Sequence, residues 1–260
     1  MKTTQRILAF PKGHLILGDS LEVLKSIKDC SIHMIFADPP YFLSNGGISC
    51  HSGNLVSVDK GDWDKGKTPQ EICTFTETWI SECKRILHKN GTIWITGTFH
   101  NIFVIGTILK KLDFKILNMV TWTKSDPPPN LSQRMFTHST EFIIWAKKSP
   151  VSKQKFNFST IKKLNNNIPM TDSWILPHVP QSEKSFGYHP TQKPLHLLKR
   201  IIMSCTDENE TVLDPFGGSG TTAVAALHLN RRFICIEKNS NYFNISKHRI
   251  THFSYINQRI

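Results

Sequence analysis

Thr211-Val212-Leu213-Asp214-Pro215-Phe216-Gly217-Gly218-Ser219-Gly220-Thr221-Thr222 reads as a short apolar run, an acid, a glycine-rich turn and the opening of a helix. An apolar run of four to eight residues bounded by Gly and Pro suits a buried strand. Glycines in the turn let the backbone approach a ligand closely, and free N–H groups at the helix start favour polar or anionic groups. Arg232-Phe233-Ile234-Cys235-Ile236-Glu237 follows as a second buried strand, with Glu237 standing 23 residues after Asp214. An acid at that offset takes ribose hydroxyls in nucleotide-type folds. No GxxxxGK[ST] phosphate loop is present, which argues against an NTPase.

The same alternation runs through the rest of the chain. Strands are expected at His14–Gly18, Ile32–Ala37 and Thr92–Thr96. Helical spacing places Leu21, Leu24 and Ile27 on one face, then Ile72, Phe75, Trp79, Cys83 and Ile86 across 70–89, then Ile102, Ile105, Ile108 and Leu112. Phe114–Trp122 and Glu141–Ala146 are β-rich, and Pro194 suits the first position of a helix carrying Leu195, Leu198, Ile201 and Ile202. Strands buried on both faces and alternating with helices predict an open α/β sheet covered on both sides.

The 260 residues suit one domain, residues 1–260. Lys and Arg number 32 against 20 acids, a net charge of +12, which favours a polyanionic partner and nucleic acid before a membrane surface. No apolar run reaches the ~18 residues of a membrane span, and the start lacks the apolar stretch of a signal peptide. The six cysteines form no CxxC pair and read as small apolar fillers in a reducing cytosol, with no metal site. Two segments break the rhythm. Residues 42–69 are rich in Gly, Ser and Asn. Residues 147–188 hold seven lysines against two acids, interleaved with Phe156, Phe158, Trp174, Phe186 and Tyr188. A loop that long inside a compact domain is functional or disordered.

Asp38-Pro39-Pro40-Tyr41 stands directly after the strand ending at Ala37. Two prolines fix the backbone and remove two donors, leaving their carbonyls free to accept. A carboxylate, a rigid carbonyl and an aromatic ring are thereby presented at a strand end, although a Pro-Pro turn capped by an acid reads the same way.

Asp38-Pro39-Pro40-Tyr41 together with Asp214–Thr222 resembles the amino-methyltransferases of DNA that use S-adenosyl-methionine (AdoMet). The order of the two motifs is that of the permuted β class, and the resemblance covers nearly the whole chain. It implies an open, mostly parallel seven-stranded Rossmann-like sheet with one antiparallel edge hairpin. Gly18-Asp19-Ser20-Leu21 resembles the strand-end acid near the cofactor adenine, although Asp19 equally suits a helix N-cap. His189-Pro190-Thr191-Gln192-Lys193-Pro194 resembles the motif before the helix that closes over the methionine end. The implied cofactor residues are Asp19, Asp38, Thr191, Lys193, Asp214, Phe216, Gly217, Gly218, Ser219, Gly220, Thr221 and Glu237. The implied catalytic residues are Asp38, Pro39, Pro40 and Tyr41.

Thr140–Lys147 resembles the strand beside the target base, 42–69 a mobile loop, and 147–188 an inserted target-recognition region. Tyr41 and Lys153, Lys155, Lys162 and Lys163 are then expected to meet DNA, although the lysine run also suits a solvated face. Trp63 reads as loop packing. The implied setting is cytoplasmic, with DNA, duplex or single-stranded, as partner; a homodimer is admitted.

Asp at the first motif position favours adenine N6 over cytosine N4 by the same resemblance. A C5-cytosine enzyme is disfavoured, because no Pro-Cys dipeptide supplies the nucleophile. FADPPYFLSNGGIS, VDKGDWDK, DPPPNLS and FTHSTE are similar to the small second methyltransferase of GATC-specific, Dpn-type restriction–modification systems. An RNA methyltransferase and an inactive DNA-binding homologue are the alternatives from other classes.

Overall fold

A computed structural model describes residues 5–42, 48–51, 54–57, 67–127, 129–130 and 133–257. Most of the 42–69 segment, Trp63 included, lies outside the described residues. Its described part holds a small antiparallel pair, β4 (Ile48–His51) with β5 (Asn54–Ser57).

The main sheet has nine strands. They are β1 (Arg6–Phe10), β2 (Gly13–Leu17), β3 (Ile32–Ala37), β6 (Leu87–Gly97), β7 (Lys115–Lys124), β8 (Thr140–Lys147), β9 (Ser173–Leu176), β10 (Thr211–Asp214) and β11 (Arg232–Glu237). The spatial order is β1-β2-β11-β10-β3-β6-β8-β7-β9. From β2 to β6 every pairing is parallel, so the ends of β2, β11, β10, β3 and β6 lie side by side. β8 runs antiparallel between β6 and β7.

The expected seven strands are all there, and two more lengthen the sheet. β1 pairs antiparallel with β2 at one margin, and β9 pairs parallel with β7 at the other. The β7–β8 hairpin is therefore not the outermost element. Both added strands are short and partly exposed, so they lack the continuous apolar run that marks the central ones.

Alternate residues of the central strands enter two cores. Met34 and Phe36 face α5 (Leu195–Cys205), α6 (Thr221–His228) and α7 (Ser240–Asn257). Ile35 and Ala37 face α1 (Ser20–Ser26), α2 (Pro69–Ile86) and α3 (Ile102–Lys111). This is the period-two alternation of a strand. Each Leu, Ile or Phe so buried contributes about 1.5–3 kcal/mol.

Two expected boundaries shift. α2 opens on a capping box between Thr68 and Glu71 with Pro69 next, but it stops at Ile86 rather than 89. Leu87 turns extended and pairs with Ile32, and a bulge follows before regular pairing resumes at Thr92. A strand bond and a second buried face win over one more helical turn. Pro194 is the N-cap of α5, one position before its first turn. Cys83, Cys205 and Cys235 are buried, whereas Cys30 is exposed. Among the described residues no helix is long and apolar enough to cross a membrane.

Residues 147–188 are not one loop. They hold α4 (Phe158–Leu164), β9 and a short 3-10 helix at Gln181–Lys184. Of the interleaved aromatics Trp174 is buried against Trp94, whereas Phe156, Phe158 and Tyr188 are exposed, Phe156 lying on Trp145.

Candidate active site

The parallel pairing brings Asp38, Asp214, Glu237 and Gly18-Asp19 to one edge, at the carboxyl ends of β3, β10, β11 and β2. At that edge the glycine-rich turn is fixed from below and behind. Gly217 N–H donates to the Ile236 carbonyl at 2.8 Å, and Gly220 N–H to the Gly217 carbonyl at 2.8 Å. Gly218 and Gly220 have φ of 53° and 78°, where a Cβ is strained. A Cβ on Gly218 would also stand 3.0 Å from the His189 ring. Behind the turn, α7 supplies Ser246, which donates to the Gly218 carbonyl, and the buried Arg249, which donates to Ser219 and Thr221.

Asp214 is sealed beneath the turn, accepting from the Phe216 N–H at 2.9 Å and from the Thr222 hydroxyl. Burial pushes its pKa up to about 7, with the charges of Asp38 and Glu237 adding to the rise. Its geometry is that of a turn anchor rather than of a group facing outward. Glu237 accepts from Gly218 N–H at 2.8 Å and Asn239 N–H at 2.6 Å. Burial lifts it too, to about 7, against those backbone bonds. Asp19 caps α1 through Leu21 N–H and pairs with Lys238 at 2.8 Å. Ser20 bonds the Pro215 carbonyl, tying the end of β2 to the turn.

Beside the turn stands an aromatic wall. Phe216 meets Trp79 edge-on at 5.4 Å and Phe75 at 6.2 Å, and Phe75 meets Phe42 at 5.5 Å. Phe42 follows Asp38–Tyr41 with φ of 55°, a left-handed conformation held by burial of its ring in that wall.

The Asp38 carboxylate is densely engaged. Lys193 Nζ donates to Oδ2 at 2.6 Å, and Tyr41 Oη to Oδ1 at 2.9 Å. Thr96, near the end of β6, also donates to Oδ1. Lys193 is 7% exposed and reaches a second carboxylate, Glu141, at 3.7 Å; Glu141 in turn pairs with Lys124 at 2.7 Å. Burial works against the Lys193 charge, but Asp38 and Glu141 outweigh it and hold the ammonium above its ordinary pKa. Burial and the Asp38 charge keep the Tyr41 hydroxyl protonated well above the usual range. Pro39 is buried and Pro40 partly so. Thr191 contributes its carbonyl to Lys193 at 3.4 Å and takes a bond from its own N–H to His189.

The structure thus brings together Asp38, Tyr41, Lys193 and Thr191, and beside them Asp214, Phe216–Thr221, Glu237 and Asp19. It does not bring the lysine run to this edge. Lys155 pairs with Asp207 and, at 2.8 Å, with Glu210, in the segment leading into the start of β10. The backbone N–H of Lys153 bonds Asn90, before the regular part of β6. Both lie at the amino ends of the parallel strands, opposite Asp38. Lys162 and Lys163 end α4, which is anchored through Asn157 to the carboxyl end of α5. Chain direction explains that placement, because β8 descends away from the site and releases the chain at the far edge.

The second half of 147–188 returns. Glu183 accepts from Leu195 N–H at 3.0 Å at the start of α5, just beyond Lys193. Thr96, Lys124, Glu141 and Arg249 were not singled out by sequence, and His189 only as the first residue of its motif. Glu141 opens a strand that was recognised, but only the fold shows what it faces.

An acid-lined carboxyl edge, a glycine-rich turn and an aromatic wall at a strand-end crevice are the features of a nucleoside-binding α/β enzyme. A family model described as DNA methylase matches residues 32–248. The chain is 49% identical over 232 residues to the Type II methyltransferase M2.MboI of Moraxella bovis, covering 89% of this chain and 85% of that one. It is 49% identical over 237 residues to the Type II methyltransferase M2.DpnII of Streptococcus pneumoniae, covering 91% and 88%. Of solved structures, the M1.HpyAVI–SAM complex superposes with a TM-score of 0.66 at 27% identity, covering 91% of this chain and 98% of that one. The cytosine-N4-specific PvuII DNA methyltransferase gives 0.73 at 20% identity, over 95% and 93%, a likeness of fold.

The chain belongs to this DNA methylase family. It is an AdoMet-dependent DNA methyltransferase of the restriction–modification type, and DNA is its substrate. The edge fits that cofactor, because Glu237 offers a carboxylate at the turn and the Phe216 wall offers an apolar face beside it.

Proposed function

We propose that the chain methylates the N6 nitrogen of adenine, in GATC, on an extruded or single-stranded base. The observation that carries the reading is Asp38, a carboxylate at a strand end followed by a backbone that two prolines fix. An exocyclic amine is a poor nucleophile while its lone pair is delocalised into the ring. Asp38 and the Pro39 carbonyl accept its two N–H bonds and draw the nitrogen toward tetrahedral, so that the lone pair leaves the ring plane. AdoMet supplies an electrophilic methyl on a sulfonium whose thioether leaves without a covalent bond to the enzyme. Glu237 would hold ribose hydroxyls, the backbone of the Gly217–Gly220 turn would approach the cofactor, and the aromatic wall would suit its cationic and apolar parts.

Asp38 would take the surplus proton from the methylated nitrogen along its hydrogen bond. Positioning supplies most of the rate. Tyr41 stacks on the target, which must leave the duplex to reach this edge. The names of the Dpn-type and Mbo-type relatives support the restriction–modification setting, and a DNA substrate supports a cytoplasmic one.

Sequencing that reports N6-methyladenine, applied to DNA from cells expressing the protein, tests this reading. Methylated adenine confined to GATC is the expected result; N4-methylcytosine overturns the base assignment, and another sequence context overturns the site.

A further inference from the structure

Asp38 enters this structure with its acceptors largely taken. Lys193 holds Oδ2, while Thr96 and Tyr41 share Oδ1. A target amine needs one of those positions, and the strongest competitor is the charged one. If Lys193 moved off Asp38 into an apolar wall, it would be a buried ammonium with no partner, which is costly. The fold provides a second carboxylate instead: Glu141, at the first turn-in of β8, stands 3.7 Å from the same Nζ. Its other oxygen is held by Lys124 at 2.7 Å, so the carboxylate is fixed in place while Lys193 moves. Glu141 and Lys124 are both mostly buried, 13% and 18% exposed, so this pairing is not a solvated surface contact.

We propose that Glu141 is a positioning residue which receives the Lys193 ammonium when the target amine takes its place on Asp38. The inference rests on the Asp38 role proposed above. It requires only that Nζ shift between two oxygens already within reach. The charge of the cluster stays balanced throughout: two carboxylates, Asp38 and Glu141, face two ammoniums, Lys193 and Lys124. Tyr41, the other titratable group on Lys193, lies 5.8 Å from Nζ by its ring and stays neutral. Glu141 touches neither base nor cofactor in this scheme; it acts through Lys193.

The test is methyl transfer by the full chain to a GATC oligonucleotide, with AdoMet binding measured separately. Glu141→Gln is expected to lower kcat about tenfold or more, within the range of a lost positioning group, and to leave the AdoMet Kd unchanged. Glu141→Asp, which keeps the charge, is expected to restore most of the lost turnover. The kcat defect of Glu141→Gln should shrink at alkaline pH, because Lys193 then has only Asp38 raising its pKa and gives up its proton sooner, freeing Asp38. A structural defect would show no such rescue. In a Lys193→Met background, adding Glu141→Gln should cost little more, since there is no ammonium left to receive.

Wild-type turnover in Glu141→Gln, or additive losses in the double variant, overturns the inference. Should the Gln variant fail to fold, the Asp variant decides: a kcat lowered tenfold or more overturns the inference, and near-wild-type turnover supports it. A wild-type protein that methylates no DNA would instead overturn the reading of Asp38 beneath it.

Discussion

Lys193 and Lys155 each sit between two carboxylates, at opposite edges of one sheet. Lys193 lies at the carboxyl ends of the parallel strands, 7% exposed, between Asp38 and Glu141. Lys155 lies at the amino ends, 34% exposed, between Asp207 and Glu210. Burial opposes the charge in both, and the acids outweigh it in both. The difference is what else reaches the group. Lys193 meets Asp38, the Tyr41 ring and the Thr191 carbonyl, and Asp38 also meets Thr96, at the edge where an open α/β sheet binds ligands. Lys155 meets the segment that turns into β10, with half-buried His33 near enough to feel its charge. Under the proposed role of Asp38, the same local chemistry serves a reaction at one edge and staples a connection at the other.

The comparison breaks first at Asp38. Asp38→Ala should lower methyl transfer by about 10²–10³-fold or more, the scale of removing a group that acts on the developing charge. AdoMet binding should survive largely intact, because the glycine turn and Glu237 are separate. A variant with near-wild-type turnover would reduce the Lys193 cluster to a staple like its counterpart. Gly218→Val comes next. It forces a branched side chain into φ of 53° and against His189, so the AdoMet Kd should rise about tenfold or more, read by calorimetry. Tight binding by this variant would move the cofactor away from the turn.

Glu237 sharpens the comparison through pH. Burial lifts it and Asp214 to about 7, from ordinary values of 4.5 and 3.8. Between the ordinary and the raised value the folded protein holds more protons than the unfolded one. Stability therefore falls as pH rises toward 7 and levels off above it. Cofactor binding should run the other way, because ionised Glu237 is the better acceptor for ribose hydroxyls. The AdoMet Kd should tighten up to about pH 7 and then flatten, by at most about tenfold per pH unit. Glu237→Gln should abolish that slope; a slope that survives would assign it to another group.

The fold was legible where the pattern is local. β3, β10 and β11 occupy the residues that their apolar runs predicted, because strands buried on both faces leave a near-continuous hydrophobic signal. The glycine turn and Asp38–Tyr41 were legible for a related reason: their chemistry is written in consecutive residues. β1 and β9 were not, being short and partly exposed. Glu141 and Arg249 were not, because their partners lie 52 and about 30 residues away in a fold the sequence does not draw. The place of the lysine run was not legible for the opposite reason. A surplus of charge is visible in sequence, but the edge of the sheet it decorates depends on which way β8 runs.

The smallest effect tests whether the far edge meets DNA. Lys155→Gln removes two ion pairs from a side chain that is a third exposed, so solvent already screens much of their worth. A loss of about 0.2–1 kcal/mol is expected, which lowers Tm by about 1–4 °C in a domain this large. DNA binding should keep its salt dependence, because this ammonium faces acids at the far edge and touches no phosphate. Lys184 is the matched control: it sits near the start of α5, 6.0 Å over the exposed ring of Tyr188, on the edge that carries Asp38. If duplex DNA crosses that edge, Lys184→Gln should lower the slope of log K against log salt by about 0.9, the share of one phosphate contact. A slope that falls with Lys155→Gln and holds with Lys184→Gln would put DNA on the amino edge and undo the contrast between the two lysines.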